Sequence, residues 1–250
     1  MAAHIEGSEG LLVEENGPVV TITIDRPEVM NAMTTEMFAN FGRICRQVST
    51  DPGVRAVVVT GSGGNFCSGA DVGAQGPRAA VEERPHQLRT MRLISETVIS
   101  LHELQHPVVA KVRGVAVGAG MNLALGCDMV VASDTARFSE IFARRGMSLD
   151  FGGSWLLPRQ VGLHRAKELA LLTEVIDAAE ANRIGLVNRV LPDEDLDGAV
   201  ADIVEQIVAG PPLALSMSKK LLNSGAVSSL SQALEAEAQA QTVNFSTADV

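Results

Sequence analysis

Short apolar runs, separated by turn residues and by stretches of helical spacing, organise this chain. Leu11-Leu12-Val13-Glu14 and Val19 to Ile24 flank the turn Asn16-Gly17-Pro18 and read as antiparallel strands. In the second run Val20, Ile22 and Ile24 fall on one face, and Thr21 and Thr23 on the other. Arg26-Pro27 ends it. From Thr34 to Val48 the period changes: Met37, Phe41, Ile44 and Val48 recur at helical intervals, and Thr34 is placed to cap the helix start. Four nearly continuous apolar runs follow: Ala56-Val57-Val58-Val59, Val108-Val109-Ala110, Met129-Val130-Val131-Ala132 and Leu186 to Val190. Runs of this kind fit strands buried on both faces, and the lengths between them suit helical crossovers. The connection Gly73 to His86, rich in Gly, Pro, Ala and charge, reads as a loop into a helix from about Leu88 to Gln105. Asp177 to Glu180 has the form of a capping box, and Gly185 stops its helix. From Asp195 onward the pattern is helical, broken at Gly210-Pro211-Pro212. It predicts an α/β core over residues 1–194 and a smaller helical C-terminal part over residues 195–250.

The 250 residues are enough to bury a substantial core. A formal net charge of −10 argues against broad electrostatic contact with nucleic acid or with an anionic membrane surface. No apolar run approaches the ~20 residues of a bilayer span. Cys45, Cys67 and Cys127 are odd in number, far apart and without a CxxC pair, which fits reduced thiols. Met1 to Glu9 is polar and acidic, without a leader pattern, so a cytoplasmic location is expected.

Several motifs suggest chemistry that their context does not support. His102-Glu103-Leu104-Gln105-His106 has the spacing of a zinc-protease helix, but Pro107 follows at once and a buried strand begins there. No metal is expected. Gly118-Ala119-Gly120 is followed by Leu123 where a dinucleotide-binding turn needs glycine, and Ser68 is not flanked as in a nucleophile elbow. Two glycine-rich turns remain, Asn65-Phe66-Cys67-Ser68-Gly69-Ala70-Asp71 and Gly114 to Gly120, each after a short apolar run. Glycine permits positive φ and close approach, so each turn can offer a backbone N–H at the mouth of a sheet. Two such donors can hold a developing oxyanion. A lone carboxylate, Asp150 in Gly146 to Gly153, can move a proton beside them.

Together, Arg26-Pro27-Glu28-Val29-Met30-Asn31-Ala32-Met33, Phe66 to Asp71 and Gly114 to Gly120 resemble the crotonase superfamily of enoyl-CoA hydratases and isomerases. Cys127-Asp128, Gly152 to Arg159 and Gly185 to Val190 continue the resemblance in the same order, from about Leu11 to Phe245. It implies a spiral of ββα turns, a homotrimer or homohexamer, and an acyl-CoA substrate. Coenzyme A is then part of the substrate and no separate cofactor is needed. Carried over residue by residue, the N–H groups of Ala70 and Ala119 form the oxyanion hole. Arg26 approaches the CoA phosphates, the backbone around Ser68 and Ala70 meets adenine, and Asp71 braces the turn or is purely structural. The resemblance also implies a last helix with basic and aromatic residues beyond Val250.

The departures from the family pattern decide which reaction is expected. Its hydratases carry two glutamates that activate water; the matching positions here are Asn122 and Phe142. Glu140 stands two residues from the second position and is expected to point elsewhere. Asp150 matches a third position, where isomerases of the family carry a carboxylate. Asn122, Phe142, Leu149, Phe151 and Trp155 are expected to form the substrate pocket, although the aromatic residues suit a core equally well. Asp150 is either a base with a raised pKa or a helix cap. The expectation is an isomerase with one carboxylate, acting on a double bond or a ring epoxide. The alternatives are an enoyl-CoA hydratase and a non-catalytic acyl-CoA binder or assembly subunit.

Overall fold

Local sequence dictates the first hairpin. β1 (Leu11–Asn16) and β2 (Val19–Ile24) pair antiparallel around Gly17, with Leu11 opposite Ile24 and Asn16 opposite Val19. Every second residue of β2 is buried, as the alternation requires. The computed structural model describes residues 5–71 and 86–250. The Gly73 to His86 connection lies outside the described residues except for His86, which caps the following helix.

β2 leads through α1 (Thr35–Thr50) into β3 (Ala56–Gly61), which lies parallel to β2. Thr34 caps α1 by accepting from the Met37 N–H at 3.2 Å, and Met37, Phe41, Ile44 and Val48 are all buried. α2 (Gln87–His102) packs on α1 and precedes β4 (Val108–Val112). β5 (Val115–Val117) and α3 (Ala119–Leu125) follow, then β6 (Met129–Ser133) and β7 (Arg137–Ser139). α4 (Gly153–Val161), α5 (Leu163–Leu172), β8 (Ile176–Asp177) and α6 (Ala178–Arg183) lead to β9 (Arg189–Leu191). Six strands form one sheet in the order β1-β2-β3-β4-β6-β9, parallel from β2 onward; β5, β7 and β8 form a second, smaller sheet. The chain repeatedly leaves the large sheet, adds a strand to the small one and returns through a helix.

Alternate residues of β3 face two cores. Val57 and Val59 join the main one with Phe38, Phe41, Phe66 and Phe138; Ala56 and Val58 join a second with Leu196, Val200, Ile203 and Val204. The latter four belong to α7 (Leu196–Ala209). Residue 195 is therefore where helices take over, but the first of them covers the outer face of the sheet. Arg113 and Lys111 of the sheet region bind Asp197 at 3.1 and 2.7 Å, fastening α7 down. α8 (Pro212–Gly225) and α9 (Leu230–Asn244) have no buried residue. Lys219 anchors α8 through an ion pair to Asp128 at 2.7 Å. Among the described residues no single helix is long and apolar enough to cross a membrane.

Candidate active site

The two glycine-rich turns meet face to face. Cys67 bridges Ala116 in parallel, and Val117 N–H donates to the Cys67 carbonyl at 3.0 Å. The approach depends on missing side chains: a β-carbon on Gly120 would overlap the Cys67 carbonyl. One on Gly69, whose φ is 96°, would stand 2.9 Å from the Val117 carbonyl and 3.4 Å from the Ala119 nitrogen. Ala119 opens α3, where a helix leaves its N–H groups without internal partners. On the first turn, Met33 accepts from Asp71 N–H and donates to the Gly69 carbonyl, both at 2.8 Å, so Ala70 is pinned between them. Neither Ala70 N–H nor Ala119 N–H donates to an acceptor among the described residues. Two free amide donors thus stand on two turns held in contact.

Other residues hold the first turn in place. Arg26 donates from Nη1 to Asp71 Oδ2 at 2.9 Å and to the Ala32 carbonyl at 2.7 Å. Asn31, fully buried and with φ 58°, accepts from Arg26 N–H at 2.9 Å and donates to the Ser62 and Asn65 carbonyls at 2.9 and 2.7 Å. Ser68 N–H donates to the Met30 carbonyl at 3.0 Å and Ser68 Oγ to the Val29 carbonyl at 3.2 Å. Arg26 and Asp71 therefore act first as a brace between this stretch and the Ala70 turn. Asn31 is a bolt that sequence reading did not single out. Its signal was a lone Asn after Arg-Pro, among the non-glycine residues most tolerant of a left-handed backbone.

Across the second turn stand the carboxylates. β7 ends at Ser139, whose carbonyl accepts from Gly118 N–H at 2.8 Å, and a 3-10 turn (Ile141–Arg145) follows. Phe142 is buried on this turn; its ring lies 3.6 Å from where a Gly118 β-carbon would be. Asn122 of α3 is fully buried and donates from Nδ2 to Glu140 Oε2 at 3.3 Å and to the Asp150 carbonyl at 3.1 Å. Glu140 is fully buried, not turned away as its sequence offset suggested. The offset argument assumed a helix, but Glu140 precedes the 3-10 turn at the end of a strand, where helical facing rules do not apply. Burial pushes the Asp150 carboxyl from an ordinary 3.8 up to about 6. Burial, with the charge of Asp150 adding to it, pushes Glu140 from 4.5 up to about 8 against the Asn122 hydrogen bond.

Asp150 does not cap the next helix. The N-cap of α4 is Gly152, without a side-chain bond, and Asp150 contributes only its carbonyl, which accepts from Gly153 N–H at 2.9 Å. Asp150 Oδ1 is buried without a partner among the described residues. Leu149 beside it is half-buried. Two expected pocket residues lie elsewhere. Phe151, with φ 47°, turns into the core and packs on Phe38 with centroids 5.1 Å apart. Trp155 lies under the Arg159 guanidinium at 3.8 Å and edge-on to His102 at 5.1 Å. There it lines a cavity of about 380 Å³ with Asp128, Lys219 and Leu222, a group that includes neither Glu140 nor Asp150. His102 closes α2, so His102 and His106 do not share a helix.

A profile of the family described as enoyl-CoA hydratase/isomerase matches residues 14–250. The chain is 34% identical over 231 residues to the 1,2-epoxyphenylacetyl-CoA isomerase of Escherichia coli K12, covering 92% of this chain and 88% of that protein. It is also 34% identical to the short-chain-enoyl-CoA hydratase of Clostridium acetobutylicum, over 96% of this chain and 90% of the other. A solved structure from Thermobifida fusca YX, in complex with CoA, superposes with a TM-score of 0.87 at 35% identity, covering 94% of this chain and 93% of that one.

Proposed function

This chain belongs to the enoyl-CoA hydratase/isomerase family of acyl-CoA enzymes, and on that premise we propose that it is an isomerase with Asp150 as its single base. The observation that carries the reading is the state of Asp150: half-buried, not used as a cap, with one oxygen lacking a partner among the described residues and a pKa raised to about 6. Such a carboxylate is mostly ionised at neutral pH and a stronger base than one in water.

The chemistry follows from the substrate. A thioester acidifies its α-carbon because the carbanion delocalises onto the carbonyl oxygen. The Ala70 and Ala119 N–H groups hold that oxygen, and a donor of this kind is typically worth roughly 3 kcal/mol in the transition state. Asp150 takes the proton from C2 of a 3-enoyl thioester, leaving a dienolate, and returns it to C4, so the double bond moves into conjugation. No proton is gained or lost. Phe142, apolar and against Gly118, stands where a hydratase of the family would have its second glutamate, and Asn122 spends its amide protons on Glu140 and the Asp150 carbonyl.

One observation favours hydration as a second reading. Hydration asks for two acid–base groups, and Glu140 supplies a second carboxyl near Asp150. Glu140 has no exposed surface, however, and is bonded to the Asn122 amide. Self-assembly into a trimer or hexamer accompanies the reading. Leu222, Leu230 and Phe245 on and after α8 and α9 are 76, 76 and 73% exposed, an apolar cost that a second copy removes. Light scattering on the purified protein measures it.

The test is product analysis with trans-3-hexenoyl-CoA and crotonyl-CoA in deuterated buffer, with Asp150→Asn alongside. Double-bond migration without hydration of crotonyl-CoA, lost in the variant, is the expected result. Formation of 3-hydroxyacyl-CoA at a comparable rate overturns it in favour of hydration. CoA-thioester binding without turnover or proton exchange, unaltered by the substitution, overturns it in favour of a binder.

A further inference from the structure

Counting donors and acceptors behind Asp150 exposes a shortage of protons. Asn122 Nδ2 has two hydrogens, one directed at Glu140 Oε2 and one at the Asp150 carbonyl. Among the described residues three buried oxygens then have no partner: Asn122 Oδ1, Glu140 Oε1 and Asp150 Oδ1. Ionised carboxylates and amide oxygens only accept, so two carboxylates here would leave all three without a donor among the described residues. A protonated carboxyl contributes the O–H that this group lacks and removes a buried charge.

We propose that Glu140 is a positioning residue that stays a neutral acid behind Asp150, its O–H held within the Asn122–Asp150 group, so that only one negative charge occupies the base site. Burial places the proton on Glu140: Asp150 is half-exposed and ionises first, and its charge then holds the proton on the fully enclosed Glu140. The described surroundings supply no competing cation. α3 has no ionisable residue, and β5 is Val-Ala-Val. Arg144 and Arg145 of the 3-10 turn are exposed, as are Arg89, Arg92 and Glu96 of α2. Arg159 of α4 covers Trp155; on α5, Arg165 binds Glu168 at 2.6 Å, and His164 and Lys167 are exposed. Asp177 on β8 caps α6. Among the described residues Asp150 is thus the one charge that Glu140 meets.

During turnover the C2 proton travels to Asp150 and on to C4, while the Glu140 proton stays in place. When Glu140 ionises, a second buried anion lies beside the base and opposes formation of the negatively charged dienolate. The inference rests on Asp150 being the base and gives the reaction an alkaline limit in addition to its acid one.

Two measurements test it. The first is infrared spectroscopy of the ligand-free protein carrying carboxyl-labelled glutamate. A protonated glutamate band is expected at neutral pH, lost near pH 8 in the wild type and at lower pH in Asp150→Asn, where the neighbouring charge is gone. The second is the pH profile of kcat/KM for Glu140→Gln, which copies the neutral acid. Scaled to its own maximum, it is expected to lose the alkaline fall of the wild type. Absence of the band at neutral pH overturns the proposal and leaves Asp150 as base untouched, whether or not Glu140→Gln folds. An unchanged alkaline limb in a folded Glu140→Gln protein also overturns it. Activity insensitive to Asp150→Asn would remove the isomerase reading while the infrared result still reports on Glu140.

Discussion

The side-chain amide of Asn122 holds the main chain of Asp150, donating to its carbonyl across 3.1 Å. A position that carries a water-activating glutamate in hydratases of this family is here spent on fixing the loop of the proposed base. Gly153 makes room: a β-carbon there would meet the Asn122 side chain. Asn122→Asp removes both amide donors and adds an anion beside Asp150 and Glu140. A like charge at this range raises a carboxyl pKa, so the acid limb of kcat/KM is expected to move up from near 6 by about one pH unit. A pH–rate profile reads it directly.

Asp150→Asn leaves the shape and the carbonyl contact but removes the proposed base. General-base catalysis contributes roughly 10²–10⁴-fold, and a loss of kcat of that size is expected with KM little changed. In the wild type the acid limb reports Asp150 itself. Activity rises as the carboxyl ionises through its value of about 6, the direction expected of a base and opposite to that of an acid.

Arg26→Met separates a phosphate-binding role from a bracing one. Loss of a phosphate contact alone raises KM and spares kcat. The structure commits the guanidinium to Asp71 Oδ2 and the Ala32 carbonyl, which hold the Ala70 turn. Removing it loosens an oxyanion donor, so kcat is expected to share in the loss, by about tenfold or more. Steady-state kinetics at saturating acyl-CoA gives the split.

Where structure depends on local pattern, it was legible. The β2 alternation, the Thr34 cap with its four-residue ladder, and the parallel strands as unbroken apolar runs all follow from single segments. The two turns and Asp150 were legible as separate motifs. What was hidden depends on facing. Glu140 was judged by helical spacing, yet it stands between a strand and a 3-10 turn. Phe151 looked like a pocket residue beside the base, but its positive φ swings the ring onto Phe38. Trp155, one helical turn on, belongs to the side where α8 docks through Lys219. Asn31 offered only the tolerance of Asn for a left-handed backbone, because its three side-chain hydrogen bonds reach chain up to 34 residues away.

Asn31→Asp tests that bolt. The substitution keeps an acceptor for Arg26 N–H but turns a carboxylate oxygen toward the Ser62 and Asn65 carbonyls. Like poles in a fully buried site are expected to cost roughly 3 kcal/mol at neutral pH. The cost shrinks in acid as the carboxyl protonates and can donate again. Urea denaturation at the two pH values measures both numbers.

Glu140→Gln gives a stability prediction that needs no substrate. The carboxyl lies at an ordinary 4.5 when unfolded and near 8 when folded. Between those values the native protein holds a proton that the unfolded chain has released, so unfolding releases it and stability falls as pH rises. The penalty is absent below the unfolded value and complete above the folded one. Glutamine has no such slope. The variant is therefore expected to gain on the wild type steadily from about pH 5 to about pH 9, by on the order of a few kcal/mol in total. At the acid end the difference reflects only the exchange of an O–H for an amide. Asp150 carries a slope of the same sign over its own lower window, but it is present in both proteins and drops out of the comparison. A difference in urea midpoint that stays flat across this range would mean that Glu140 is buried as a carboxylate, and the single-charge description of the site would fall with it.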